Sequence, residues 1–140
     1  MQTVYYKSID ENLEAFNKAY ADDAGYDMYV TKPILLLPLQ TRKIPVNIKV
    51  AIPSGKFGWL TGRSSVAASG ILVHTGIIDS GYTGQIKAVV TNLTLLPKMI
   101  RPGQRIAQLI FLDKADVLLK ETYIMPITLR NTRGFGSSGA

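Results

Sequence analysis

Short apolar runs alternate with polar, turn-forming residues along the chain. The runs lie at residues 34–37, 44–52, 57–61, 71–73, 85–91, 106–112 and 121–125. The 7 prolines stand at or near the ends of runs, where a missing amide donor does least harm to a strand ladder. Residues 10–20, with Leu13, Phe16 and Tyr20 at helix spacing, and residues 65–69 before Gly70 favour helices. The pattern predicts an all-β sandwich, barrel or jelly roll with two minor helices.

Composition is that of one folded domain. Of the 140 residues, 46% are hydrophobic and 19% are charged, which is typical of a globular protein with a core. The absence of cysteine excludes disulfides and thiolate metal sites. The last ten residues, 131–140, are rich in glycine and serine, so we expect a β domain at 1–130 and a flexible arm at 131–140.

The net charge of +6 suits an acidic partner. The 16 lysines and arginines are scattered, whereas a nucleic-acid footprint is usually a cluster or stripe, so we expect a nucleotide and no nucleic acid. No segment approaches the roughly 18 apolar residues of a membrane span, and residues 1–7 lack the apolar core of a signal peptide. We therefore expect no membrane partner and a cytoplasmic, non-secreted protein, or one in the host cytoplasm or nucleus if the gene is viral.

Two polar segments have chemistry that their residues indicate directly. In residues 76–84 an apolar run turns through Asp79-Ser80-Gly81 and meets the next run, which predicts a β-hairpin. Asp79 taken alone is most simply a hydrogen-bond acceptor within that turn. Ser64 and Ser65 follow a strand and open a short helix, where they cap the helix or bind phosphate at its amino end.

Five polar islands occur in a characteristic order: DAGYD at 23–27, GRSS at 62–65, GIIDSGY at 76–82, GQRIAQ at 103–108 and GFGSSG at 134–139. Together they resemble the trimeric dUTPases. The resemblance implies a distorted jelly roll and a homotrimer whose active sites are shared between subunits. It also implies hydrolysis of dUTP to dUMP and pyrophosphate with Mg²⁺.

The resemblance assigns the reacting centre to residues 73–82. Asp79 corresponds to the catalytic aspartate that activates the water attacking the α-phosphorus, a general-base role that suits a carboxylate. Tyr82 corresponds to the tyrosine that packs on deoxyribose and leaves no room for a 2′-hydroxyl. Uracil recognition, largely by backbone groups, falls to Val73, Gly76 and Ile78.

The same resemblance assigns the phosphates to other islands. Ser64 and Ser65 would contact phosphate, Arg63 would support the catalytic aspartate, and Gln108 would lie beside the phosphates. Arg105 is interpreted as structural. In the C-terminal arm, substrate contacts are implied for Arg130, Phe135, Gly136, Ser137 and Ser138, with Arg133 competing for the arginine role and Asn131 replacing the usual glycine.

The metal assignment rests on a single carboxylate. By resemblance, Asp27 holds waters of a Mg²⁺ ion that the triphosphate chelates, with Asp22 and Asp23 as alternatives. One carboxylate can suffice because Mg²⁺ keeps several waters and borrows substrate phosphates.

Three rival functions stay open. A dCTP deaminase shares the fold but needs a glutamate near position 89, which is Val89 here. A regulatory protein of a mobile element could use dUTP as a switch for a protein partner, with residues 10–22 as a candidate contact surface. A catalytically inactive trimer is the third rival.

Overall fold

The computed structural model describes residues 1–9 and 18–136. Within them the chain forms eleven strands and one helix. In chain order these are β1 (Tyr5–Ser8), β2 (Tyr26–Tyr29), β3 (Ile34–Leu36), β4 (Thr41–Pro45), β5 (Ile48–Ala51), β6 (Lys56–Gly62), α1 (Ser64–Ala68), β7 (Ile71–Val73), β8 (Gly76–Ile78), β9 (Lys87–Asn92), β10 (Lys98–Ile100) and β11 (Arg105–Asp113).

The strands pair antiparallel in four small sheets. Their orders are β2-β11-β6-β8, β4-β9-β7, β1-β5 and β10-β3. Fully buried side chains from different sheets, among them Met28, Leu36, Ile48, Val90 and Leu109, form one core. The described residues therefore form an open, jelly-roll-like all-β fold, which confirms the predicted class.

The apolar run 44–52 is two strands rather than one. β4 joins the sheet of β9, whereas β5 pairs with β1. The chain breaks at Asn47, which is fully buried and accepts a hydrogen bond from the Tyr29 amide on Oδ1 at 3.0 Å. A buried amide side chain that needs partners overrides the strand preference of its apolar neighbours.

The predicted hairpin across Asp79 is wrong. β8 pairs with β6, whereas β9 pairs with β4 and β7, so residues 79–86 carry the chain from one sheet to another. Ile86 is 1% exposed and its carbonyl accepts the Val46 amide at 3.0 Å, which directs the chain into the second sheet. The 79–85 loop is thus a crossover between sheets.

The strand expected at residues 121–125 is also absent from the described structure. All five residues are exposed, and β11 is the last strand of the described range. Thr122 Oγ1 donates to the Ile124 carbonyl at 2.9 Å, a local bond that competes with a strand ladder.

The two predicted helices have different outcomes. The helix α1 confirms the one expected at 65–69, displaced by one residue. Residues 10–17 of the other prediction lie outside the described residues, and Ala19 and Tyr20 form a bend. No helix in the described ranges could cross a membrane.

Candidate active site

Three charged residues from separate parts of the chain meet beside β11. Asp27 lies on β2 and Arg105 on β11, the strand between β2 and β6, while Arg63 directly follows β6. Arg63 Nε is 3.2 Å from Asp27 Oδ1, and Arg105 Nη1 is 3.2 Å from Asp27 Oδ2. Asp27 is only 6% exposed, so both ion pairs are partly shielded from water. Two guanidinium groups on one carboxylate leave a surplus positive charge at this point.

Gln108 contacts residues of the first and second polar islands beside these three charged residues. It is the register partner of Asp27 on one side and Thr61 on the other, and its Nε2 donates to the Gly62 carbonyl at 3.1 Å. A methyl group added at Gly25 would meet Gln108 Cβ at 3.0 Å and overlap Oε1. The glycine in the first island therefore makes room for the glutamine of the fourth. We call Asp27, Arg63, Arg105 and Gln108 the Asp27 cluster.

A cavity of about 230 Å³ opens on the Asp27 cluster. Its lining joins five of the residues predicted from the sequence: Asp27, Arg63, Ser64, Ser65 and Gln108. The two serines are exposed at the start of α1, where no side chain in the described residues caps the helix. The cavity thus combines the Arg63 guanidinium with two hydroxyl donors, a combination that suits phosphate oxygens. Arg105 pairs with Asp27 but does not line the cavity.

Asp79 and Tyr82 line a different cavity. It measures about 410 Å³ and is also lined by Ile78, Lys43 and Lys87. Asp79 is exposed and Tyr82 is 48% exposed. The tyrosine hydroxyl donates to the Gln85 carbonyl at 3.0 Å. Within one chain, therefore, the predicted general base and the predicted phosphate ligands occupy separate cavities.

The remaining predicted uracil residues do not line the Asp79 cavity. Val73 lines a third cavity of about 470 Å³ together with Gly62, Arg63 and Ser64, and half-buried Gly76 opens β8 opposite Leu60. The neighbouring His74 bonds Thr91 Oγ1 through Nε2 at 2.8 Å.

The described residues assigned to the arm do not line these cavities. Arg130 Nε donates to the Arg133 carbonyl, and Arg133 Nη2 donates to the Leu129 carbonyl at 3.0 Å. Phe135 is fully exposed, and Gly136 has a φ of 90°. None of Arg130, Phe135 and Gly136 lines the three cavities above. Ser137 and Ser138 lie outside the described residues.

The donor set around Asp27 fits a hydrated metal ion better than a bare one. The described residues contain no group of three or more His, Cys, Asp or Glu side chains that could hold a metal. Each Asp27 oxygen faces one arginine, and a carboxylate has about four acceptor positions, so positions remain for water molecules. Of the alternatives, Asp23 is engaged by the Tyr20 amide at 3.0 Å and Asp22 is exposed.

The sequence did not single out Lys43 and Lys87, which line the Asp79 cavity. It also did not predict the ion pair of Arg105 with Asp27, which is compatible with the structural interpretation of Arg105. The only available signal was the position of Arg105 in the fourth island, since its partner lies 78 residues away.

Comparisons with known proteins show which proteins the chain is similar to. The family model described as dUTPase matches residues 11–139. A deoxyuridine 5'-triphosphate nucleotidohydrolase of Clostridium kluyveri is 37% identical over 133 residues, which cover 91% of this chain and 93% of that protein. The structure of the Staphylococcus bacteriophage 80alpha dUTPase G164S mutant with dUpNHpp superposes with a TM-score of 0.93 at 27% identity, covering 100% of both chains.

Viral Pol polyproteins are also similar. The Pol polyprotein of equine infectious anemia virus, strain Wyoming, is 39% identical over 118 residues, which cover 84% of this chain. The chain spans only 10% of the length of that polyprotein. The extent of the family match, taken with the relatives that match over nearly their whole length, leads to one conclusion: the chain belongs to the dUTPase family.

Proposed function

We propose that this protein is a dUTP diphosphatase, which hydrolyses dUTP to dUMP and pyrophosphate. The observation that carries the proposal is the cavity that opens on the Asp27 cluster in a chain of the dUTPase family. Arg63, the buried Asp27 carboxylate and two serines line it, and Arg105 is the second partner of Asp27. Phosphoryl chemistry needs positioning and neutralisation of negative charge more than covalent participation, and this cavity offers both.

The Asp27 cavity would hold the phosphates. Arg63 supplies positive charge, and Ser64 and Ser65 supply hydroxyl donors that stabilise charge on the leaving pyrophosphate. Asp27 would hold a magnesium ion through its waters, and the ion when bound supplies further neutralisation of the polyphosphate. Gln108 would keep the islands in register through its bond to Gly62.

The Asp79 cavity would hold the nucleoside and the attacking water. Asp79 takes the proton of that water as its oxygen bonds to the α-phosphorus and the bond to the pyrophosphate oxygen breaks. Tyr82 packs on the deoxyribose, and the backbone near Val73, Gly76 and Ile78 recognises uracil. Exposure of Asp79 supports this role, because a general base must be reached by water and substrate.

A homotrimer with shared sites would bring the two cavities together. Two features support this arrangement. First, the two halves of the chemistry occupy separate cavities of one chain. Second, residues 114–133 are exposed although they include Leu118, Leu119 and Tyr123, which are 90%, 91% and 101% exposed. A second chain that covers them would remove this apolar surface from water.

The C-terminal arm would close over the site of another subunit. Arg130 has the bidentate guanidinium that suits a terminal phosphate, and Phe135 has the ring that suits stacking on uracil. Gly136, Ser137 and Ser138 would add backbone and hydroxyl donors. Exposure of Arg130 and Phe135 in the isolated chain supports a segment that becomes ordered on the nucleotide.

The decisive experiment measures pyrophosphate release from dUTP, dCTP, dTTP and UTP with Mg²⁺, with ammonia followed in the dCTP sample. Release from dUTP alone is expected. Ammonia from dCTP would replace the proposal with deamination. If the folded protein releases pyrophosphate from none of the four nucleotides, the proposal is overturned in favour of a dUTP-gated binding protein. Capture of a protein partner that depends on dUTP would then test that alternative.

A further inference from the structure

The Tyr82 ring lies directly against Gly84. The phenol folds back over the 79–85 loop, and its hydroxyl donates to the Gln85 carbonyl at 3.0 Å. A Cβ added at Gly84 would stand 2.6 Å from the Tyr82 hydroxyl oxygen, 2.8 Å from Cζ and 3.1 Å from Cε2. These separations are well inside van der Waals contact. The ring can therefore occupy its present place only while position 84 has no side chain.

The backbone does not require glycine at position 84. Gly81, in the same loop, has a φ of 85° and nothing within 4 Å of an added Cβ, so backbone conformation alone favours glycine there. Gly84 is the opposite case, because its φ lies outside the left-handed region. The three atoms nearest to an added Cβ all belong to the Tyr82 ring and hydroxyl, so the ring, and not φ, favours glycine at this position.

The colliding atoms are the far end of a half-exposed side chain. Tyr82 is 48% exposed, so its ring can rotate toward solvent without opening the core. An alanine at position 84 should therefore move the ring and break its bond to Gln85, but leave the fold intact. Displacement and unfolding are separable at this position, which makes it a usable probe.

We infer that Gly84 is a positioning residue for sugar selectivity: by leaving space for the Tyr82 ring, it holds that ring where it excludes a ribose 2′-hydroxyl. The inference rests on the proposed function, in which Tyr82 packs against the deoxyribose. A ring displaced by about an ångström changes the shape of the sugar site. A rigid steric wall discriminates strongly, whereas a mobile one discriminates weakly.

The test compares wild type, Gly84→Ala, Tyr82→Ala and the double variant, with Thr83→Ala as the control between the two positions. For each protein, kcat/KM is measured with dUTP and with UTP, and thermal unfolding monitors the fold. The preference for dUTP in Gly84→Ala is expected to fall by at least about tenfold, mainly through faster turnover of UTP. Thr83→Ala should keep the wild-type preference and melting temperature.

The double variant separates positioning from a general structural effect. If Gly84 acts only through the ring, the double variant shows the same preference as Tyr82→Ala alone, because the second substitution has nothing left to displace. A double variant with a clearly lower preference than Tyr82→Ala would overturn the inference.

The remaining outcomes divide cleanly between the inference and the function it rests on. Wild-type protein that releases no pyrophosphate from dUTP overturns both. Wild-type selectivity that persists in Gly84→Ala, while Tyr82→Ala loses it, overturns the inference alone. A structure of Gly84→Ala with the Tyr82 ring turned to solvent, together with relaxed selectivity, supports it.

Discussion

The Asp27 cluster and the 79–85 loop are held in place by very different means. Asp27 is buried and paired with two arginines, and Gln108 is anchored on Gly62. In the loop, Asp79 is exposed, and the hydrogen bonds include the Tyr82 amide on the Asp79 carbonyl at 3.3 Å and the Tyr82 hydroxyl on Gln85. The groups suited to hold phosphate are fixed by a buried carboxylate and by strand pairing, whereas Asp79 lies exposed on a loop between two sheets.

The difference follows from strand order. Asp27, Arg105 and Gln108 lie on paired strands, so their backbones are fixed by the ladders of β11, and Arg63 directly follows the third strand of that sheet. Residues 79–85 cross between two sheets and lie outside the paired strands. Substitutions in the two regions should therefore separate effects on stability from effects on turnover.

The largest effect is expected for Asp79→Asn. Loss of the general base should lower kcat with dUTP by about a thousandfold, with little change in KM. Because the side chain is exposed, the melting temperature should stay at the wild-type value. Ser80→Ala in the same loop is the matched control and should retain turnover. A kcat within tenfold of wild type would remove Asp79 from the proposed mechanism.

Gly25→Ala should damage the other region through packing. The added methyl would overlap the Gln108 side chain, which is held between two islands and cannot swing into solvent freely. Overpacking of this kind should lower the free energy of unfolding by about 2 kcal/mol and also impair phosphate binding. Urea denaturation measures the first effect and the KM for dUTP the second. An unchanged denaturation midpoint would show that Gln108 is less constrained than its contacts imply.

Asp27→Asn should reduce stability less than Gly25→Ala, because both arginines remain partly exposed at 29% and 43% and can regain water. Loss of the charged hydrogen bonds should cost about 1 kcal/mol in urea denaturation. Activity should also require more Mg²⁺, which a titration at fixed dUTP measures. If Asp27→Asn shows the wild-type magnesium dependence, Asp27 does not hold the metal ion, and its role is only to pair with the two arginines.

Asp113→Asn should have the smallest effect. The pair Lys56–Asp113 closes the same two strands, β6 and β11, at their other end, but the Asp113 side chain is 84% exposed. Exposed pairs contribute roughly 0–1 kcal/mol, so the denaturation midpoint and turnover should both stay near wild type. If Asp113→Asn lowers the free energy of unfolding as much as Asp27→Asn does, burial does not set the difference in stability between the Lys56–Asp113 pair and the Asp27 pairs.

The sequence predicted the fold class and several separate segments of the candidate site, but not which strands and side chains would meet. Ser64 and Ser65 were predicted from their place at the start of a helix, and Gln108 from the resemblance of its island to the dUTPases. The second partner of Asp27 was not, because Arg105 meets it only through the adjacency of β2 and β11, and strand order is not written in local residue patterns. The same reason explains the wrong hairpin, since the turn residues of 79–81 do not say which sheet each flanking run will join.

The central place of β11 has a further consequence, for local opening. Its ladders run to β2 and β6, with Arg105 paired to β2 and Gln108 flanked by both strands, so exposing their amides requires a ladder of a central strand of the sheet to break. Hydrogen exchange at these amides should therefore require nearly global unfolding, while the amides of 79–85 exchange through small local openings. Nucleotide binding would then slow hydrogen exchange far more at the amides of 79–85 than at those of Arg105 and Gln108. Most of the entropy cost of ordering the site on binding would fall on the loop that carries Asp79.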